Sequence, residues 1–412
     1  MTAPVLNAII NFSTGPAFAQ AMILDSGILG TNVLADSEAL IVDVSNVVDS
    51  VTTMRGRNLQ ADVFQTGTLT LRIVDQNGDF NPQNPNSPYF GLLTPMRKVA
   101  ITATYNGTEW PMFSGFITSY TTTTPKMATD VVYTTITAVD GFRLFQNSQI
   151  TNVTLASAGD LPGERVNAIL DEIAWPPSQR EIEYGDTIFQ ADPGTLRTAL
   201  AALQTASISE YGAIYMDARG SVNLKDRAFC IDSQAIPPVV FNDDGSEITY
   251  FNAVWRLDDT QVYNSASITK IGGTAQIAED QASIDEYFVH SYTQQNLVMD
   301  TNQAALDYAR AYVASRKATR TRCDAIELDL YTENYNDGII AALDLDFFDP
   351  VEVTTNQPGN STLQQTLQVF GVMHRVSPNS WKTTFTTQEP IIDGFILNST
   401  LYGVLDTSVL AY

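Results

Sequence analysis

Residues 97–120 read RKVAITATYNGTEWPMFSGFITSY, and this stretch decides the fold class. Two runs rich in β-branched and aromatic residues flank the dipeptide Asn106-Gly107, which favours the positive φ angles of a tight hairpin turn. Residues 69–73 alternate apolar and polar side chains with the period of two that a half-buried strand shows. The sequence therefore predicts a mainly β fold in this part of the chain.

Changes in periodicity divide the 412 residues into four predicted parts. Residues 1–150 are predicted to form a first β domain, and residues 151–235 an α+β insert. Residues 236–390 return to strand patterns interrupted by one helix. Residues 391–412 are apolar and loop-like, and we expect this tail to dock onto another surface.

Three amphipathic patterns predict helices. The third pattern lies in residues 301–317, and either Asp300 or Thr301 is expected to cap its N-terminus. A hairpin is predicted around Arg219-Gly220. The apolar stripes of the three helices are Val166, Ile169, Leu170 and Ile173; Leu196, Leu200 and Leu203; and Leu306, Ala309 and Val313.

An internal repeat is suggested by three markers that occur in the same order in the first and third parts. A proline precedes a strand, a glycine lies in the next strand, and a Thr-rich strand follows. The markers are Pro95, Gly115 and Tyr133 in the first part, and Pro350, Gly371 and Trp381 in the third. The interpretation is two related β-barrel modules joined by the insert; chance similarity between β domains is the alternative.

Composition and charge exclude several classes of protein. The net charge is −24, from 46 acidic and 22 basic residues, so the cationic footprint of a nucleic-acid reader is missing. Two cysteines provide no disulfide framework. Because the N-terminus lacks a basic region and no apolar run has membrane-spanning length, we expect neither secretion nor membrane insertion by this chain.

Catalytic motifs are not found. The two histidines, His290 and His374, occur on strand-like runs without metal spacing or a neighbouring nucleophile, and we interpret both as structural. Glu181 and Glu183 alternate on a strand-like run, as do residues 344 and 346, both Asp. Either pair could present two carboxylates on one face, but solvated acidic faces are commoner than a hydrolase pair. We predict no enzyme activity, no catalytic residues and no cofactor.

Residues 74–91, VDQNGDFNPQNPNSPYFG, superficially resemble a calcium loop. Counted from Asp75, the glycine is fourth and the twelfth residue is Asn86, whereas a calcium loop needs glycine at the sixth position and glutamate at the twelfth. Three prolines fix φ and prevent a sheet from continuing. The segment is predicted to be a rigid docking loop or a capped edge, with no metal ligand.

One cationic cluster lies near the end of the third predicted helix. It consists of Arg316, Lys317, Arg320 and Arg322. These side chains complement the C-terminal end of the helix dipole, or they bind an acidic surface of a neighbouring subunit. The second interpretation makes them candidate subunit-interface residues.

With these patterns together, nearly the whole chain resembles the tail-tip hub proteins, or minor tail proteins, of long-tailed bacteriophages. The resemblance rests on these stretches: RGR (residues 55–57), residues 75–91 and 94–117, VYNSASITKIGG (residues 262–273), SIDEYF (residues 283–288), the helix from Ala304, and residues 343–353 and 369–390. It implies two tube-like β-barrel domains, a homotrimer and a position at the virion tail tip after assembly in the host cytoplasm. Three copies with two barrels each would match a sixfold tail tube.

The same resemblance implies the partners. These are the distal tail protein ring, the end of the tape measure protein and tail fibre or tip proteins, while genomic DNA passes through without specific binding. Two alternatives remain at this point. The chain could be a hexameric distal tail protein with a single tube domain, or a tail module whose aromatic loops bind a host glycan.

Overall fold

The computed structural model describes residues 3–12, 41–58, 63–123, 131–331, 336–359 and 361–390. This part of the chain is mainly β and contains large antiparallel sheets, as the sequence predicts. The expected docking tail, residues 391–412, lies outside the described residues. No helix in the described ranges is long and apolar enough to cross a membrane.

The first β region contributes β1 (Val5–Asn11), β2 (Ile41–Asp43), β3 (Val48–Asn58), β4 (Val63–Phe64), β5 (Thr68–Val74), β6 (Lys98–Tyr105), β7 (Thr108–Thr123) and β8 (Tyr133–Val139). The central segment contributes α1 (Phe142–Asn147), β9 (Gln149–Ile150), α2 (Pro162–Glu172), β10 (Arg180–Ile182), β11 (Arg197–Thr198), α3 (Ala199–Glu210), β12 (Ala213–Met216), β13 (Val222–Lys225) and α4 (Arg227–Asp232).

The third region begins with β14 (Val239–Asn242), β15 (Asn252–Arg256), β16 (Ser265–Lys270), β17 (Gln276–Glu279), α5 (Gln281–Tyr287), β18 (Ser291–Leu297) and α6 (Asn302–Arg316). It continues with β19 (Arg322–Asp329), α7 (Asn336–Asp344), β20 (Pro350–Gln357), β21 (Ser361–Ser377) and β22 (Ser380–Gln388).

Strands of the first and third regions belong to one 14-stranded sheet. Its main path runs β15-β19-β22-β21-β3-β5-β8-β7-β6-β1-β2, and β4, β14 and β20 pair at its side. Apolar residues alternate along the inner strands; in β5, for example, Leu69, Leu71 and Ile73 are buried between exposed residues. No sheet formed by the described residues closes on itself, so the two barrels remain a prediction.

Five strands of each β region follow the same order. The order is β3-β5-β8-β7-β6 in the first region and β15-β19-β22-β21-β20 in the third. In both regions the last three strands along the chain form an antiparallel meander. Two earlier strands then extend the sheet beside the third strand of the meander.

The turn before each meander also has the same geometry. Met96 and Phe348 have φ angles of 69° and 71°, and each lies two residues before its first meander strand. Met96 donates its backbone N–H to the carbonyl of Ile117 at 2.6 Å, and Phe348 donates to Val369 at 2.8 Å. Positive φ is uncommon for bulky residues, so the two turns share an unusual local geometry.

Both predicted hairpins are present. β6 and β7 are joined by Asn106 and Gly107, with φ angles of 49° and 83°. β12 and β13 pair around the turn that contains Arg219 and Gly220. Thr301 is the residue that caps α6, since its hydroxyl accepts the backbone N–H of Ala304 at 3.1 Å.

Three sequence predictions about secondary structure need correction. Leu196 is exposed and precedes α3, which begins at Ala199. Leu306 is only half-buried, because alanine and tyrosine side chains fill most of the buried stripe of α6. Asp344 is the last residue of α7 and residue 346 follows in a loop, so the predicted strand alternation of these two carboxylates is wrong. The apolar run before Asp344 packs instead as one face of a helix.

Candidate functional site

The two β regions are connected through a joint that consists of residues 51–56 of β3 and residues 371–376 of β21. These segments pair antiparallel over six residue pairs, from Gly56 opposite Gly371 to Val51 opposite Val376. The backbone ladder thereby runs from one region into the other without a linker. The two regions are held as one sheet, which fixes their relative orientation.

Close backbone approach at one end of the joint requires small residues. A Cβ on Gly56 would lie 2.9 Å from the Cα of Gly371 and 3.0 Å from the carbonyl oxygen of Phe370. A Cβ on Gly371 would lie 3.0 Å from the side chain of Thr386. Contacts below about 3.5 Å between carbon atoms are repulsive, so glycine at these positions permits the pairing.

A buried arginine reinforces the joint. The Nη2 atom of Arg55 lies 3.1 Å from Oδ1 of Asp346, and its Nε donates to the carbonyl oxygen of Met112 at 3.3 Å. The guanidinium also lies 5.0 Å from the ring centroid of Phe347, within cation–π range. Arg55 therefore links three segments across the joint. The sequence analysis noted RGR only as part of the family resemblance and missed this role.

Two titratable groups near the joint are fully buried. Asp140 accepts backbone N–H groups from Gly67 at 2.6 Å and Phe142 at 3.0 Å, yet burial raises its pKa to about 7. His374 has its Nδ1 atom 3.0 Å from the hydroxyl of Thr383. Burial, and secondarily the charge of Arg55, lower the pKa of His374 to about 3. The imidazole is therefore neutral, and it packs inside the sheet with a hydrogen bond to Thr383.

The cationic cluster predicted for a subunit interface is occupied by contacts within the chain. The side chains bind acids as follows: Lys317 binds Asp280 at 3.0 Å, Arg320 binds Glu389 at 3.6 Å, and Arg322 binds Asp258 at 2.7 Å and Asp324 at 2.9 Å. Arg316 ends α6 and lies 4.2 Å from the ring centroid of Tyr312. The predicted role at a subunit interface stays a prediction.

The acidic residues considered for catalysis have different surroundings in the structure. Glu183 receives the Nζ of Lys225 and the backbone N–H of Asp226, each at 3.0 Å, while Glu181 is exposed on β10. Asp344 accepts the indole N–H of Trp110 at 3.2 Å. Glu183 and Asp344 therefore act as hydrogen-bond acceptors for basic or N–H groups.

The segment that resembles a calcium loop uses its oxygens internally. Asp75 is buried and accepts the backbone N–H of Phe80 and the hydroxyl of Thr134, the latter at 2.7 Å. The side-chain amide of Asn84 donates to the carbonyl oxygens of Asn77 and Gly78. Among the described residues, no group of three His, Cys, Asp or Glu has the geometry of a metal site. The loop is held together by its own hydrogen bonds and follows directly after the end of β5.

The fold and the joint thus define the class of this protein: it is mainly β, with two β regions joined in one sheet. No protein-family model and no curated protein sequence matches the chain. Solved structures of phage tail proteins do share its fold, which confirms the resemblance at that level. The tail protein from Neisseria meningitidis MC58 has 10% identity and a TM-score of 0.56, covering 94% of this chain and 97% of that one. The 43 kDa tail protein of prophage MuSo2 from Shewanella oneidensis has 12% identity and a TM-score of 0.52, covering 85% and 96%.

Proposed function

We propose that this chain is a structural hub of a bacteriophage tail tip. Three copies form a ring in which each copy supplies two β modules, and the ring adapts a sixfold tail tube to central tip or fibre proteins. A threefold assembly with two equivalent modules per subunit presents six similar units to its neighbour. That equivalence is the requirement that the chain must meet.

The observation that supports this proposal is the shared strand order of the two β regions. Five strands in the same order, with the same left-handed residue before each meander, make the two regions suitable for quasi-equivalent places in a ring. A hexameric distal tail protein with one tube domain needs only one such region. The joint supports the trimer further, because it holds the two regions at one fixed angle.

The acidic surface is consistent with a channel for DNA. With a net charge of −24, the chain offers few cationic side chains that could displace the counterions condensed on DNA phosphates, so passing DNA would not bind strongly. The partners in this proposal are the distal tail ring, the end of the tape measure protein and tail fibre or tip proteins. Its place is the tail tip of the virion.

The mass of the assembled protein tests the proposal. Light scattering on the purified full chain should give three times the monomer mass of 45.1 kDa, and a cryo-electron microscopy map of the tail should show the three copies around an axial channel. A hexamer in the tail would favour the distal-ring alternative. A monomer at all concentrations, with no ring in the virion, would refute the hub.

An enzymatic role is outside this proposal. Zymography on host peptidoglycan tests that part, with E183Q as the variant because Glu183 is a candidate carboxylate that accepts hydrogen bonds from Lys225 and the backbone N–H of Asp226. Activity that disappears in E183Q would contradict a purely structural hub.

A further inference from the structure

Several strand edges of the sheet have no neighbour in the described part of the chain, among them one edge each of β7 and β15. β7 pairs with β6 through residues 108–116 and with β8 through residues 116–123. Beyond residue 118, therefore, only one edge of β7 is covered by a described strand. β15 pairs with β19 on one edge, and none of the described strands covers its other edge. Open edges are templates for pairing with another chain.

The equivalent edge in the third region is already paired within the chain. β21 pairs with β20 through residues 361–368 and with β22 from residue 368 onward. On the edge that β20 leaves free, residues 371–376 pair with β3, which forms the joint. β7 and β21 hold the same place in their regions. Residues 119–123 of β7 therefore present the strand edge that, in the third region, β21 uses to pair with β3 in the joint.

We infer that residues 119–123 of β7 pair with β15 of a second copy of this chain, in the same way that β21 pairs with β3. This inference rests on the proposed trimer and names the strands that close it. β15 holds the place in the third region that β3 holds in the first. The contact between subunits thereby repeats the joint within a subunit.

The register of this contact follows from the register shifts. β7 shifts register against β8 between Ile117 and Ser119, and β21 shifts against β22 between Val369 and Gly371. When these shifts are aligned, Thr123 corresponds to residue 375, which is Arg. In the joint, that arginine lies opposite Thr52.

The residue of β15 that corresponds to Thr52 is found through the neighbouring strands. Thr52 pairs with Thr70, and Thr70 with Thr137. In the third region the same path starts at Val254, which pairs with Ala325, and Ala325 pairs with Thr386. Thr137 and Thr386 are equivalent because each pairs with the residue just after the register shift. Thr123 of one copy is therefore expected opposite Val254 of the next.

The side chains along both edges suit this contact. Val254 is 40% exposed, and Phe251 and Leu257 beside it are 50% and 64% exposed. Natural edge strands are usually protected by lysine, proline or inward charges, and β15 carries only Arg256. Residues 117–123 (ITSYTTT) and 252–256 (NAVWR) contain no acidic residue, so the acidic chain avoids like-charge repulsion at this contact.

Cysteine pairs in the full-length protein test the register. T123C combined with V254C should give covalent dimers and trimers on mild oxidation, because directly opposite residues lie within disulfide range. T121C combined with N252C is the mismatched pair, displaced by about 13 Å along the strand, and its yield should be roughly tenfold lower. Each single cysteine variant controls for random linking. T52C combined with R375C should link within one chain without raising the mass.

A second variant tests the contact without thiol chemistry. V254K places a charge on the open edge and should lower the trimer fraction while leaving the unfolding curve of the isolated chain unchanged. A native trimer that links the mismatched pair as well as the matched pair overturns the edge contact and leaves the hub intact. Matched linking in an assembly of another size supports the contact and overturns the trimer. A monomer in every sample overturns both.

Discussion

Replacement of Gly56 by alanine should destabilise the joint, and the geometry of the contact indicates the approximate loss of free energy of unfolding. The new Cβ would lie 2.9 Å from the Cα of Gly371 and 3.0 Å from the carbonyl oxygen of Phe370. Both atoms belong to the backbone of a paired strand and cannot rotate away. Inserting a methyl group into such a contact costs about 3 kcal/mol, at the upper end for overpacking. Reduced entropy of the unfolded chain offsets about 0.7 kcal/mol, which leaves a net loss of about 2 kcal/mol.

Thermal unfolding followed by circular dichroism measures this loss. For a chain of this length, about 2 kcal/mol corresponds to a decrease in Tm of roughly 2–3 °C. G371A should have a smaller effect, since its Cβ would meet the side chain of Thr386, which can shift. T70A on the exposed face of β5 controls for β propensity, which spans only about 1 kcal/mol. If G56A and T70A unfold at the same temperature, the close approach in the joint does not limit stability, and the reasoning fails.

Three further substitutions address other parts of the fold. The difference in stability between H374N and the wild type should become smaller on acidification from pH 6.5 to 3. Because the pKa of His374 is depressed in the folded state, the wild type loses stability as the pH falls through this window, whereas the variant has no imidazole and does not. Measurement of Tm against pH tests this expectation. R322A should cost about 2–3 kcal/mol in urea unfolding because Arg322 is buried between two carboxylates, whereas R320A, exposed at its weaker contact, should cost less than about 1 kcal/mol. If the cationic cluster also lies at a subunit interface, R320A should lower the trimer fraction in light scattering without this loss of stability. T301A should cost about 1 kcal/mol through the lost cap of α6, and an unchanged midpoint would contradict the capping role.

Local turn and cap chemistry could be predicted from the sequence because it depends on neighbouring residues. Asn106-Gly107 specifies its hairpin through the positive φ angles that both residues tolerate. Thr301 specifies the start of α6 through one side-chain hydrogen bond. The helix that ends at Asp344 was missed because a short apolar run has the same appearance in a strand and in a helix.

The sequence markers proposed for an internal repeat do not match the strand pairing of the two β regions. The sequence markers align Pro95 with Pro350, but strand pairing places Lys98 at the position of Pro350, since each of these two pairs with the residue before Ile117 or Val369. Register depends on hydrogen bonds between strands far apart in sequence, and identical residue types at similar intervals do not determine it.

The joint could not be predicted either, because it is a purely non-local contact. β3 and β21 are separated by about 300 residues, and nothing in RGR indicates that Arg55 is buried against Asp346. Glycine at residues 56 and 371 is the one signal available in the sequence. A glycine within a strand marks a bulge or a close backbone approach, and this signal could have indicated two such positions without indicating that they face each other.

Covalent connection of the two β regions also changes how the proposed ring would assemble. Three of its six module junctions would lie within a chain, where the partner strand is covalently attached and pairing does not depend on the protein concentration. Only the β7–β15 contacts would depend on the concentration of the protein. A hub present in a few copies per virion could then close its ring at concentrations where six separate modules with the same edges would remain apart. The cost of this arrangement is that the joint must form first, because a chain with an unpaired β3 would expose a further open edge and could join its neighbours in the wrong register.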